Sequence, residues 1–155
     1  MPHSQPSRPS TANDVAVDAR PCGGNLLLAI SNSISALRRE HYGRGPIKTK
    51  TYILDDIIIV VMREIGYSAI EKTMIESGEP QRVIALREDF QRVMARRYSD
   101  TIEALTDRTV VAFLNRAHLE PDVSMKVFIV DRPLDPLGVD EVIGRQELAE
   151  QSRHG

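Results

Sequence analysis

A chain of 155 residues, 41% hydrophobic and 5% aromatic, with one Cys and no Trp, is sized for one modest domain. Its longest unbroken apolar run, Ile57 to Met62, is six residues, against the roughly 18 to 20 that a spanning helix needs, so no transmembrane segment of its own is expected. Gly23 to Val130 carries 15 basic and 14 acidic side chains; without a strong positive excess or a set of stacking aromatics, nucleic acid is not expected as a partner.

Residues 1 to 22 hold several Pro and Ser and no sustained apolar period, which predicts a disordered tail. They also lack an apolar h-region and carry Asp14 and Asp18, so neither a secretory signal nor a mitochondrial presequence is expected. The lone Cys22 has no intrachain disulfide partner, and a reducing cytoplasm suits the chain best.

Leu27, Ile30, Ile34 and Leu37 follow a 3, 4, 3 spacing, with Leu26 and Ser33 at the edges, and predict a helix from about Gly24 or Asn25 to Tyr42. Gly43 is placed to cap it in the left-handed conformation, and Gly45 with Pro46 prevents resumption. Ile47 to Leu54 alternates and is rich in β-branched residues; Asp55 and Asp56 supply a turn, and Ile57 to Met62 reads as the second strand of a hairpin. Ser68 with Glu71 forms a capping-box pattern that opens a short helix with Ile70, Met74 and Ile75 inward, closed by Gly78.

The longest helix is expected from about Pro80 to Leu105, on a stripe of Val83, Leu86, Phe90, Val93, Met94, Tyr98, Ile102 and Leu105. Arg87 and Asp89 read as a solvated face, and Glu88 stands four residues before Arg92 as an ion-pair partner. Two β-rich segments, from Thr109 and from Val123, flank the turn residues Glu120, Pro121 and Asp122 and form a second hairpin. The order α-β-β-α-α-β-β predicts an α+β fold: a two-layer arrangement of a four-stranded, mainly antiparallel sheet with helices on one face. Residues 131 to 155 are acidic and Pro-containing, with three basic against six acidic side chains and a weak amphipathic pattern over 139 to 151.

No metal-ligand spacing and no nucleophile constellation appears, so neither a metal, a cofactor nor a catalytic residue is assigned. The richest cluster is the YGRGP loop and its flanks, where Arg39, Tyr42, Gly43, Arg44, Gly45, Pro46 and Lys48 form a candidate site for a small anion. The alternative weight on Arg38, Arg39 and His41 is a structural one, since positive charge in a last helical turn complements the exposed carbonyls. His118 and the Asp55, Asp56 pair read as structural and turn residues. Two hairpins leave sheet edges open, which makes a homodimer an expectation.

The succession REHYGRGP, TYILDDIIIVV, a short helix closing in ESG, ALREDF, and IEALTDRTVVAFLNRAHLEPDVSMKVFIV resembles the MpsC-like family of bacterial domains, with Asp107 standing where an LTG-like turn would place Gly. The resemblance implies association with a membrane system that takes up cations and bicarbonate and helps generate membrane potential. Without a span of its own, the chain is then expected to be a soluble, non-enzymatic accessory or regulatory protein in the cytoplasm, contacting an integral membrane transporter subunit from the inner face of the membrane. A cytoplasmic small-anion-sensing module is the competing expectation.

Overall fold

The computed structural model describes residues 23 to 43, 45 to 46 and 48 to 134. The tail expectations for residues 1 to 22 and 135 to 155 fall outside these residues. Among the described residues three helices and four strands follow in the order α1 (Gly24–Tyr42), β1 (Lys48–Leu54), β2 (Ile57–Arg63), α2 (Ala69–Glu76), α3 (Pro80–Thr106), β3 (Val110–His118) and β4 (Val123–Val130). The strands form one open sheet in the order β1-β2-β4-β3 with every pairing antiparallel. The fold is α+β, as the sequence predicts.

Each boundary has a local cause. Gly43 takes φ 85° and its N–H donates to the Arg39 carbonyl at 3.1 Å, closing α1 in the left-handed geometry that Gly adopts without a Cβ clash. At α2, Ser68 Oγ accepts from the Glu71 N–H while the Glu71 carboxylate accepts from the Ser68 N–H, a complete capping box. Pro80 starts α3, where its missing N–H costs nothing, and Asp107 ends it at φ 55°.

Alternation sends Thr49, Thr51 and Ile53 of β1, Ile58, Val60 and Met62 of β2, and Ser124, Lys126, Phe128 and Val130 of β4 to the helix side of the sheet. Helices α1 and α3 cover that side, and the core lies between them and the sheet around Ile30, Ile34, Ile58, Val60, Tyr98, Ile102 and Phe128, each fully buried.

The inward stripe of α1 is rotated from the expected one. Leu26, Ile30, Ser31, Ile34, Ser35 and Arg38 are buried, while Leu27 and Leu37 pack against the core only in part. The cause is a pair of hydroxyl contacts to β1, Ser31 Oγ to Thr51 Oγ1 and Ser35 Oγ to Thr49 Oγ1, each 2.7 Å. Small hydroxyl residues let the helix approach the strand while satisfying one another in the buried layer. The face of α3 is also rotated. Val83, Arg87, Gln91, Met94, Tyr98, Ile102 and Thr106 are buried, whereas Leu86 and Val93 face outward at 42% and 71% exposure; on α2, Ile70 is 65% exposed.

Among the described residues, no helix covers the opposite face of the sheet. Across the strands lie Leu54, Ile57, Ile129 and Ala112 in one row and Tyr52, Ile59, Val127 and Leu114 in the next. Beyond them Lys50, Val61, Met125 and Arg116, then Lys48, Arg63, Val123 and His118, make the face progressively more basic.

Ile34→Ala is expected to cost about 2 to 5 kcal/mol in chemical denaturation, because its side chain is wholly enclosed and the cavity cannot fully collapse. Leu28→Ala, at a largely exposed position of the same helix, is expected to stay within about 0.5 kcal/mol of the parent.

Candidate functional site

Two buried polar assemblies lie between the helices and the sheet, and sequence reasoning missed the centre of each. The first surrounds Arg87, whose side chain is 2% exposed rather than solvated. Its Nε donates to Glu71 Oε2 at 2.5 Å, Nη2 donates to the Gly66 carbonyl and to Glu71 Oε1, and Nη1 donates to Asp122 Oδ1 at 3.2 Å. Tyr42 donates its hydroxyl to Glu71 Oε2 at 3.0 Å, and the Gly66 N–H donates to Asp122 Oδ2 at 2.8 Å. One guanidinium therefore ties α3 to α2, to the β2–α2 loop and to the turn between β3 and β4. Tyr67 lies against it, with its ring centroid 5.1 Å from the guanidinium carbon and its hydroxyl donating to the Leu119 carbonyl.

The electrostatics follow from this geometry. Burial pushes the Glu71 carboxyl up, but the hydrogen bonds from Arg87, Ser68 and Tyr42 outweigh it and hold the group below the ordinary carboxylate range. Burial likewise works against the charged form of Arg87, and Glu71 with Asp122 overcomes it and raises the guanidinium. The Tyr42 hydroxyl is raised by burial and by the negative charge of Glu71.

The second assembly is a seam of polar side chains without hydrogen-bond partners. Arg38 is 1% exposed, and its Nε and Nη2 have no hydrogen-bond partner among the described residues; the same holds for both amide atoms of Gln91 and Asn115, the Tyr98 hydroxyl and Ser124 Oγ. The guanidinium of Arg38 stacks on Tyr42, 4.6 Å from the ring centroid, and lies 5.9 Å from that of Phe90. Lys126 is fully buried, with Nζ 3.6 Å from Met62 Sδ and 5.3 Å from the Tyr98 ring centroid. Burial, reinforced by the charge of Arg38, pushes the Lys126 ammonium well below its ordinary value. Arg38 is itself lowered by burial, and burial pushes the Tyr98 hydroxyl up to about 12 against the pull of Arg38.

The loop proposed from the sequence is dispersed over several local roles. Tyr42 is bonded to Glu71, Gly43 is the helix cap, and Lys48 pairs with Glu64 at 3.2 Å on the surface. Arg39 is exposed and folds over Gly45, where an added Cβ would stand 3.1 Å from Arg39 Nε; Pro46 is buried, and Arg44 lies outside the described residues. Glu88 pairs with Arg116 across to β3, and Arg92 with Asp89 along the helix, in place of the Glu88–Arg92 pair that the spacing suggests. His118 Nδ1 is hydrogen-bonded with the Pro121 carbonyl at 2.8 Å, and the Asp55 and Asp56 carbonyls accept from Leu134 and Val130. Among the described residues no three His, Cys, Asp or Glu side chains group as metal ligands.

A small α+β domain with a one-sided sheet and a charged interior is thus the class that the fold defines. Residues 23–132 match the model of the family described as Na+-translocating membrane potential-generating system (MpsC), and the chain belongs to that family. No curated protein and no solved structure matches it.

Arg87→Ala is expected to destabilise by about 3 to 5 kcal/mol, since Glu71 then stays buried, and Asp122 part-buried, without their cation. The Glu71 pKa is depressed on folding, so its contribution is present above the ordinary value of 4.5 and is lost as pH falls through the lower folded value. Denaturation measured from pH 7 to pH 3 is expected to show a stability decline on the acid side that is shallower in Glu71→Gln.

Proposed function

We propose that this chain is a non-enzymatic accessory subunit of a membrane-potential-generating system, acting from the cytoplasm by contact with an integral membrane subunit. Membership of the family over residues 23–132 carries this reading. Among the described residues no helix is long and apolar enough to cross a membrane, so a part in ion translocation would be exercised through a partner that lines the path.

The sheet face that no described helix covers is the surface best suited to that contact. Leu54, Leu114 and Met125 are 52%, 59% and 43% exposed on it, and contiguous exposed apolar surface of this kind marks interaction sites on soluble domains. A groove of about 850 Å³ beside α3 runs on from the face, sharing Arg116, His118, Val123 and Met125 with it. The basic row at this end suits an acidic loop of the membrane subunit.

Tagged full-length chain recovered from detergent-solubilised membranes is expected to enrich a multi-span transporter subunit, and Leu114→Glu is expected to abolish the enrichment while leaving the thermal midpoint near that of the parent. Enrichment of no such subunit would refute the reading. A second copy is the other candidate occupant of the face. Sedimentation of a concentration-dependent dimer that Leu114→Glu dissolves would assign the face to self-association and count against the transporter contact there.

A further inference from the structure

We propose that the polar seam between α1, α3 and β4 is a binding site for a small planar oxyanion with a single charge, held by the Nε–Nη2 edge of Arg38 and the amine of Lys126, with Gln91 and Tyr98 as donors. The site does not depend on the accessory role.

The unpaired atoms select the ligand. Arg38 leaves unsatisfied the two nitrogens on one edge of its guanidinium, and those parallel N–H groups match two oxygens of one oxyanion; enclosure and charge then favour a small planar monoanion over a tetrahedral dianion. A halide offers the fork a single acceptor to share between both N–H groups. Among the described residues no carboxylate faces this edge at hydrogen-bond distance, since Glu71 and Asp122 are both committed to Arg87. Arg38, Gln91 and Lys126 are all at 1% exposure or less, so the ligand is limited to a few heavy atoms. A polar group left unsatisfied in a core is costly, and Arg38, Gln91, Tyr98, Asn115 and Ser124, beside a buried lysine, together offer a ligand several polar contacts.

Charge balance gives the stoichiometry. Arg38 and Arg87 offset the buried Glu71 and the part-buried Asp122, so these groups balance when Lys126 carries no charge. Bringing in a monoanion keeps that balance only if Lys126 takes up a proton. The titratable or charged groups facing Lys126 are Arg38 from α1 and Tyr98 from α3. Its strand neighbours, Val60 on β2 and Asn115 on β3, do not titrate. Anion and proton are therefore bound together, and affinity rises as pH falls.

The test uses the full chain with formate, nitrate and bicarbonate as probes, and chloride and sulfate at matched ionic strength as controls. Titration calorimetry in two buffers of different ionisation enthalpy is expected to show one saturable site for at least one planar probe, with close to one proton taken up per anion and affinity about tenfold tighter per pH unit lowered while Lys126 remains largely neutral in the free protein. The thermal midpoint should rise with that probe and not with the controls. Lys126→Met, which replaces a buried amine by an apolar side chain of similar length, is expected to fold with a midpoint at or above the parent's and to lose the response. Arg38→Lys, which keeps charge and removes the fork, is expected to weaken binding at least about tenfold. Absence of saturable binding for all three planar probes, an equal response to chloride, or a full response in folded Lys126→Met would each overturn the proposal. A membrane pull-down that fails leaves it standing, since that result bears on the outer face alone.

Discussion

Arg87 sits where four parts of the chain meet, and the packing of the upper half of the molecule depends on its charge being matched. Removing a guanidinium from water is expensive unless its donors are met. Here Glu71 and Asp122 supply the opposite charge, and the Gly66 carbonyl takes a further N–H. The same contacts do structural work that apolar burial does not. Helix α2 is short, with Glu71 its only fully buried residue and its inward side modest. It is held by a carboxylate that serves at once as the capping-box acceptor, the acceptor of the Tyr42 hydroxyl and the counterion of Arg87.

The asymmetry of the sheet follows from the same economy of elements. Two long helices cover one face, and a third too short to cover the other is drawn to α3 by the charged hub. The outer face is left with apolar rows across its middle and a basic end. A domain built this way has a well-ordered inside and an outside suited to contact, which is consistent with a role exercised through a partner. It also leaves an interior with more polar atoms than the protein satisfies by itself, concentrated where α1 and α3 face Ser124 and Lys126.

The architecture was largely legible in the sequence because its signals are local. Alternation in β1, the Ser68–Glu71 box, Pro80 at the start of α3 and Gly43 at the end of α1 each act within a few residues of themselves. The charged interior was not legible because its partners are remote: Glu71 lies 16 residues before Arg87 and Asp122 lies 35 after it. An arginine on an amphipathic helix reads as solvent-facing until those carboxylates are brought to it. Lys126 was hidden differently. In VSMKVFIV one set, Val123, Met125, Val127 and Ile129, is wholly apolar while the other mixes Ser124 and Lys126 with Phe128 and Val130, so alternation points Lys126 away from the core, the reverse of where it lies. Arg38 was masked by its place in the last turns of α1, where a cation needs no further explanation. The rotation of α1 had a visible trace in Ser31 and Ser35, whose spacing of four repeats the two-residue step of Thr49 and Thr51 on the strand they meet.

The claim that most of this rests on is that the Arg87 hub is part of the cooperative core rather than a surface clasp. Native-state hydrogen exchange at the amides of Gly66 and Ser68, which donate to Asp122 and Glu71, addresses it directly. The account predicts that both exchange only with the free energy and denaturant dependence of global unfolding, together with the amides of β2 and β4. Exchange at those two amides through a low-energy local opening, while the central strands stay protected, would contradict it.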